Sequence, residues 1–450
     1  MASHQYITYP NRPIDSEWYM HVPLKGFHSS FSTLQPWMDE MLSHPNEDEF
    51  RDHMNVIDKI NTPVLHIGGW YDFFGVGTID AFSNLQHKSN QKLIMGPGTH
   101  GYLGVEGRFY DWFDYWLKGE DTGIMDEPKV TYYRLDARTL EEWIFDPSSW
   151  RNSDTWPPDG VSYLYGYFHD NGVLSTTLCT PGEEADTYIY NPMNPLLTHG
   201  GRNLILPAGP EDQRPVEQDR TDILIYTSDV LTTDIDIAGN VKVVLSASSN
   251  RPDTDFTAKL IDVYPDGKTM LILDSIIRAR YRQSMENPVL MQPNEIYEFT
   301  INLGDVSHVF EAGHRIQVDI SSSNFPKYDR NLNTGGTLYS ETEVYVAENT
   351  VHHNSTHPSY IVLPIITPST TTSTTLTSTT IPKDTEPPQW SNLMHCEDET
   401  CNSPNITGSN SVEIKVDWSD NQNFDTVIIY EDSTGVWQEH VCNLDTKQCS

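Results

Sequence analysis

The amino-acid sequence predicts an α/β segment followed by all-β structure, and three observations carry that prediction. Residues 63–101, PVLHIGGWYDFFGVGTIDAFSNLQHKSNQKLIMGPGTHG, read as strand, turn, helix, strand and turn. From about residue 129 the hydrophobic period changes to two, in many short runs with no helical pattern between them. Residues 367–383, TPSTTTSTTLTSTTIPK, are a Ser/Thr/Pro tract beyond which strand patterns resume. Such a tract cannot bury a core; it reads as an extended linker and a candidate for O-glycosylation.

Within the first segment, Val64 to Ile67 is a short apolar run led in by Pro63 and closed by Gly68 and Gly69, as in a buried parallel strand. Asp72 follows on a loop. Ile79, Phe82 and Leu85 repeat at helical spacing, and Lys92 to Met95 makes a second buried strand. That strand is expected to stop at Gly96-Pro97-Gly98, with His100 just beyond. Ligands bind at the carboxyl ends of strands in open α/β sheets. An acid after one strand and a histidine after the next fit the last two members of a Ser, Asp, His triad in α/β-hydrolase order. A blander reading fits the same spacing: Asp72 caps a helix and His100 belongs to a loop.

The words GGWYDFF, KLIMGPGTHG and RFYDWFDYWLKGEDTGIMDEPKVTYY resemble the cocaine-esterase-like and X-prolyl dipeptidyl-peptidase-like (CocE/NonD, S15-type) family of serine hydrolases. The resemblance implies that Asp72 and His100 complete a catalytic triad. One departure is Gly98, where the family usually has Trp. Further on, NPMNPLLTHGG, DILIYTSDVL, DTDFTAKLIDVYPDG, IIRARYR and FEAGHRIQVDISSSNFPKYDRNLNTG resemble the C-terminal β domain of the same family. The resemblance covers roughly residues 15–350. It implies a partial α/β-hydrolase domain (cap remnant and last strands), a jelly-roll β-sandwich, and a truncated immunoglobulin-like β domain.

The expected boundaries are a cap-domain remnant at 1–55, the C-terminal part of the hydrolase domain at 56–128, the jelly roll at 129–366, the linker at 367–384 and the immunoglobulin-like domain at 385–450. In the first of these, Phe31, Leu34, Trp37 and Met38 fall at helical spacing, as do Phe50, Met54 and Ile57. Asn46, with Asp48 and Glu49, offers an N-cap and first-turn acids for the second helix. Phe109, Trp112, Phe113, Trp116 and Leu117 form one apolar stripe on a helix over 107–118, expected to pack on the sheet, with Gly119 as its stop. The strands expected beyond it are VTYYRL, YIYN, ILIYTS, VKVVLSAS, FTAKLIDVY, IYEFTINL, RIQVDISSS and EVYVAE. Asp253, Asp255, Arg278, Arg280, Arg282, His314, Arg315 and Asn331 are read as scaffold ties between layers rather than a site. Glycan binding by the β domain stays open, since lectins share the architecture without fold implying function. Beyond the linker, TEPPQWSNL, VEIKVDWSDN and DTVIIYED read as strands, similar to repeats that follow such linkers in archaeal surface proteins.

With 450 residues the chain has room for two or three domains. Its formal charge of −36 argues against nucleic acid or an anionic membrane as partner, since both need a positive face. No run approaches 18 apolar residues, so no membrane-spanning segment is expected, and MASHQYITYPNRP has no signal-peptide pattern. Four of the five cysteines, Cys396, Cys401, Cys442 and Cys449, lie in the tail and suggest two disulfides, with a zinc site as the rival; Cys179 stands alone. Asn354-Ser355-Thr356 and Asn405-Ile406-Thr407 are N-glycosylation sequons. The expected location is extracellular or at the cell surface, with any signal peptide in sequence upstream.

A serine hydrolase needs a nucleophile on a strand-to-helix elbow, G-x-S-x-G, and no such motif occurs in the chain. Ser29, Ser30, Ser32 and Ser83 have the wrong surroundings. In the family the resemblance points to, the serine lies upstream of the cap, so the expectation is a hydrolase fragment holding acid and base, inactive or nearly so alone. Its substrate is a small ester, amide or peptide, with no cofactor and no metal. Trp70, Tyr71, Phe73 and Phe74 are candidate pocket residues, Trp70 and Tyr71 equally candidates for packing. The uncharged Phe73, Phe74 and Gly75 after the acid favour an acyl or aromatic ester over an α-ammonium substrate. Two other readings stay open: a surface binding or adhesion protein without catalysis, and a complete enzyme using water or a metal on His100. His352, His353 and His357 read as a solvated loop.

Overall fold

In the computed structural model the described residues are 20–25, 35–52, 57–85, 90–100, 108–139, 142–143, 146–204 and 206–366, with strand segments 413–416, 426–432, 437–443 and 448–449. The chain divides into two units, Met1–Thr370 and Thr371–Ser450. Among the described residues no helix is long and apolar enough to cross a membrane.

The N-terminal part of the first unit holds helix α1 (Gln35–Ser43) and the single turn α2 (Glu49–Asp52). Leu42 is buried with Tyr281, Leu338 and Tyr339, so α1 packs on loops of the β structure some 240 residues and more further along. The cap of α2 differs from expectation. Asp48, not Asn46, accepts the amide N–H of Arg51 at 3.2 Å, while the Asn46 side-chain oxygen accepts the Tyr281 hydroxyl at 2.8 Å. A tertiary partner claimed the asparagine, and the aspartate two residues further on took the cap.

The first sheet has the order β1 (Val64–Tyr71), β2 (Gln91–Thr99), β3 (Val130–Tyr133), β4 (Trp150–Ser153). β1, β2 and β3 are parallel and β4 closes the edge antiparallel. Helix α3 (Gly75–Asn84) crosses from β1 to β2 and buries Ile79 and Phe82. Gly68 lets these layers close, because a Cβ there would stand 2.9 Å from Sδ of Met95. Val130–Tyr133, which the period-two pattern groups with later strands, instead continues this parallel sheet, and its flanking residue Leu135 bridges to His308 of the β region.

The helix expected over 107–118 is α4 (Arg108–Phe113) followed by a π-helical stretch, Asp114–Lys118, and Gly119 ends it in the left-handed conformation (φ 74°). The packing expectation for its stripe is corrected: Trp112 alone is buried, whereas Phe113 is 51% and Leu117 78% exposed. The wider turn shifts the last two stripe positions away from helical register.

The second sheet has eleven strands: β5 (Val161–His169), β6 (Val173–Ser175), β7 (Asp186–Tyr190), β8 (Leu224–Thr227), β9 (Ile235–Ser249), β10 (Asp255–Val263), β11 (Thr269–Arg278), β12 (Tyr297–Phe310), β13 (Arg315–Ser321), β14 (Ala347–His352) and β15 (Tyr360–Ile366). Their order is β11-β10-β13-β8-β6-β5-β15-β9-β14-β7, with β12 along β9; a single turn, α5 (Arg214–Glu217), precedes β8. All pairings are antiparallel apart from a one-residue link of β6 to β8. The strand read at EVYVAE begins four residues later, at Ala347. One apolar core runs from Trp70, Tyr71, Leu93 and Tyr133 of the first sheet into Phe256, Leu273, Phe299 and Val318 of the second.

The charged residues of the β region pair internally. Arg278 meets Asp255 and Asp329, Arg280 meets Asp253, and Asn331 donates to both Asp253 and Asp255. His314 contacts Asp262, Arg315 donates to the carbonyl of Ser228, and Arg282 lies over the Tyr297 ring. The histidines after residue 351 differ from the solvated loop expected of them: His352 ends β14, and His353 is fully buried against Asp186.

In the second unit, β16 (Glu413–Val416), β17 (Thr426–Asp432), β18 (Trp437–Asn443) and β19 (Gln448–Cys449) form an antiparallel ladder with Cys442 opposite Cys449. The linker, Asn405, Ser29, Ser30, Ser32 and the side chains of the four tail cysteines lie outside the described residues.

Candidate active site

The site is built by strand register. β1 and β2 pair regularly up to Gly69 opposite Gly96, and the next rung is Tyr71 opposite Thr99. β2 therefore holds one extra residue around Pro97–Gly98, a bulge where proline has no N–H to give the ladder. The strand was expected to stop there; it continues through the bulge to Thr99. Asp72 and His100 each come one residue after the Tyr71–Thr99 rung. Nδ1 of His100 lies 3.2 Å from Oδ1 of Asp72.

A carboxylate only accepts, so Nδ1–H of His100 donates to Asp72 and Nε2 is the nitrogen left with a lone pair. The Asp72 side chain is 7% exposed and that of His100 is 48% exposed. The acid is thus held in the protein while the imidazole borders solvent. Asp72 also closes an Asx turn ahead of α3, whose N-cap position is Phe74. The same Oδ1 accepts the amide N–H of Phe74 at 3.0 Å, and the Asp72 carbonyl accepts from Gly75 at 3.1 Å, where α3 begins. Asp72 is therefore not the cap of α3, and one of its oxygen atoms serves both the turn that leads into the helix and the histidine.

The four aromatic candidates separate. Trp70 and Tyr71 are each 1% exposed. Trp70 donates its indole N–H to the carbonyl of Tyr133 at 2.7 Å, and Tyr71 its hydroxyl to that of Leu271 at 3.1 Å. Both are therefore core anchors and not pocket walls. Phe74 is 52% exposed, and its ring stands edge-on to that of His100 with centroids 5.3 Å apart; Phe73 packs on Phe74 at 5.1 Å. Next to the histidine the surface is aromatic. Phe74 was visible in the sequence because it follows the acid directly.

A support that the sequence did not reveal is Arg202. It is buried and donates to the carbonyls of Trp70 at 2.8 Å and Leu303 at 3.2 Å, and to that of Asp305. Burial pulls its guanidinium below the usual arginine range, opposed by Asp305 and Asp274. It ties the end of β1 to the second sheet from 132 residues away, a distance no spacing rule spans. A separate cavity lies between Leu24 and the 325–341 loop, lined by Arg278, Asp329 and Tyr339, away from His100.

A parallel-sheet edge carrying a buried acid hydrogen-bonded to a half-exposed histidine, fused to a large antiparallel sheet, defines a protein of the hydrolase class with a β-rich C-terminal portion. Comparison with known proteins agrees. The family model of the X-Pro dipeptidyl-peptidase C-terminal non-catalytic domain matches residues 122–362, and that of the X-Pro dipeptidyl-peptidase (S15 family) matches residues 12–102. The chain is 38% identical over 374 residues to the cocaine esterase of Rhodococcus sp. (strain MB1 Bresler), covering 74% of this chain and 62% of that one. It is 27% identical over 239 residues to a putative Xaa-Pro dipeptidyl-peptidase of Bacillus anthracis, covering 52% and 36%. Among solved structures, an aminopeptidase from a marine sediment Thaumarchaeota archaeon superposes with a TM-score of 0.66 at 25% identity, covering 76% of this chain and 62% of that one. A CocE/NonD family hydrolase of Staphylococcus aureus, at 17% identity and a TM-score of 0.56 over 78% and 62%, shares the fold. The chain belongs to the cocaine-esterase and X-Pro dipeptidyl-peptidase family of serine hydrolases. It spans less than two thirds of the length of these curated relatives.

Proposed function

We propose that Asp72 and His100 are the acid and the general base of a serine hydrolase that cleaves small ester or amide bonds, the nucleophile being supplied by sequence outside this chain. The observation that carries the reading is the 3.2 Å contact between Asp72 Oδ1 and His100 Nδ1 at the carboxyl ends of adjacent parallel strands. Asp72 would hold the tautomer that leaves Nε2 free to take a proton from a serine hydroxyl, and would stabilise the imidazolium that follows. Support for an external nucleophile is the lack of a G-x-S-x-G elbow in the sequence, together with coverage of 62% of the Rhodococcus esterase. The exposed Phe74 beside His100, with Phe73 and Gly75, offers no carboxylate to an α-ammonium group and favours an acyl or aromatic ester. Residues 129–366 read as a jelly-roll domain and the tail as an immunoglobulin-like one. The −36 charge, the Ser/Thr/Pro linker and the sequons support an extracellular or cell-surface location.

The test is labelling with a fluorophosphonate, which requires an activated serine, alongside turnover of an aryl acetate. The chain alone is expected to take no label and give no turnover above its His100→Gln variant. The chain joined to its upstream coding sequence is expected to do both. Equal labelling and turnover of the two forms would defeat the reading.

A further inference from the structure

Four metal-ligating side chains converge at one end of the large sheet, far in sequence from Asp72. His169 is the last residue of β5, Cys179 and Glu183 lie on the loop between β6 and β7, and His353 directly follows β14. A nitrogen of His169, the sulfur of Cys179 and a carboxylate oxygen of Glu183 all lie within 4.8 Å of one another. Nδ1 of His353 is 3.9 Å from Oε2 of Glu183. Side-chain exposure is 14% for His169, 8% for Glu183 and 0% for His353, and Cys179 is buried and carries no disulfide.

The hydrogen bonds around the cluster fix one nitrogen of each ring. Nε2 of His169 is 3.0 Å from the carbonyl oxygen of Thr177, which can only accept, so that nitrogen bears a proton. Nε2 of His353 is 3.0 Å from Oδ2 of Asp186, which also accepts the Tyr226 hydroxyl at 2.9 Å, so that nitrogen bears one too. Each Nδ1 faces the same oxygen: that of His169 is 2.8 Å and that of His353 3.9 Å from Oε2 of Glu183. Among the described residues His353 Nδ1 has no hydrogen-bond partner, although its ring is fully buried. The other Glu183 oxygen, Oε1, is occupied by the amide N–H of Thr180 at 2.5 Å, so Oε2 is the oxygen that faces both rings. One added proton on His169 would satisfy its contact with Glu183 but leave His353 Nδ1 orphaned. A cation between the groups satisfies all of them.

We propose that His169, Cys179, Glu183 and His353 form a structural site for a divalent transition metal, Zn2+ above others. Two imidazoles, a thiolate and a carboxylate suit a borderline-soft ion in tetrahedral geometry. On binding, the Cys179 thiol loses its proton to solvent and its weak contact with the Phe168 carbonyl, and a metal–sulfur bond forms. Donors of a tetrahedral zinc site stand about 3.3–3.8 Å apart for bonds of about 2.0–2.3 Å. Loading therefore spreads Nδ1 of His169 and Oε2 of Glu183, 2.8 Å apart, by about half an ångström, draws the Cys179 sulfur in by up to about an ångström, and clamps the 176–185 loop to β5 and β14. Asp186, the Thr177 carbonyl and the Thr180 amide already orient the ligands, as supporting groups do in known zinc sites. Cys179 and Glu183 stand four residues apart, but no local pattern joins them to His169 or to His353, 170 residues from Glu183.

The test uses the full chain, stripped by a chelator and titrated with Co2+ as a spectroscopic probe, then with Zn2+. One Co2+ per chain is expected, with a thiolate-to-cobalt charge-transfer band and tetrahedral visible bands that Zn2+ removes. Cys179→Ser is expected to abolish the charge-transfer band, and replacing all four tail cysteines with serine to leave it. Glu183→Gln and His353→Gln are expected to weaken Zn2+ binding at least about tenfold. Circular dichroism of the metal-free variants checks that they fold; should Cys179→Ser fail, the tail-cysteine variant and His353→Gln decide. No charge-transfer band in the unsubstituted chain, a band that survives Cys179→Ser, or one lost with the tail cysteines would overturn the site.

Discussion

Asp72 and His100 stand one residue beyond the same rung of a parallel ladder, Tyr71 opposite Thr99, and a 3.2 Å hydrogen bond joins them. The bulge at Pro97–Gly98 sets that rung, so the extra residue on β2 brings the histidine level with the acid. Two loops that spacing alone could leave unrelated are thereby held in register by the strands beneath them.

The pairing has a direct spectroscopic consequence. A carboxylate–imidazole bond partly shielded from solvent slows exchange of the Nδ1 proton and moves its resonance downfield. Proton NMR of the chain at low temperature is expected to show a downfield imidazole signal that disappears in both Asp72→Asn and His100→Gln. A signal unchanged by Asp72→Asn would mean that another group holds the ring.

Two glycines of α3 should respond in opposite directions. A Cβ on Gly75 would stand 2.5 Å from the carbonyl oxygen of Gly69, a backbone atom of β1 that cannot step aside without moving the strand end. Gly75→Ala is expected to destabilise by about 1–3 kcal/mol. Gly77 has nothing within 4 Å of its Cβ position, so Gly77→Ala is expected to stabilise the helix by up to about 1 kcal/mol. Thermal unfolding of the two variants checks both signs.

Much of this arrangement was legible in the sequence, and the losses have physical causes. The strands around Leu65 and Ile94 and the helix through Ile79 and Phe82 carry clear periodicity, because both faces of a parallel sheet and one face of its crossover helix are buried. β11 and β15 were not among the expected strands; polar and proline residues such as Asp274, Ser275 and Pro364 break their pattern, and the pairing with β10 and β5 holds them. The exposure of Phe113 and Leu117 was invisible, since a stripe reports an apolar face but not what covers it. Trp70 and Tyr71 directly precede the acid in sequence yet both are buried, because the end of β1 is covered on both faces. The buttress from Arg202 and the convergence on Glu183 depend on contacts across the fold, which no local pattern encodes.

Acid should loosen the strand that carries Asp72. His66 of β1 is buried, and its ring donates to the side-chain oxygen of Gln91 at 3.1 Å. Desolvation lowers its pKa from 6.5, with the Gln91 contact acting in the opposite direction. The unfolded chain therefore takes up a proton at His66 before the folded one does, and stability present above about pH 6.5 is lost as pH falls below it. Unfolding midpoints measured from pH 8 to pH 5 should fall less steeply for His66→Gln than for the unsubstituted chain. Parallel curves would remove His66 as a source of the pH dependence.

In the proposed hydrolase His100 works as a base because Asp72 orients it. In the form of the protein that carries the nucleophile, the decisive measurement is kcat for an aryl ester with Asp72→Asn, a change that keeps the shape of the side chain and removes its charge. A fall of about 10^4-fold is expected, the loss seen when the triad aspartate of a serine protease becomes asparagine. A kcat within an order of magnitude of the unsubstituted protein would contradict it.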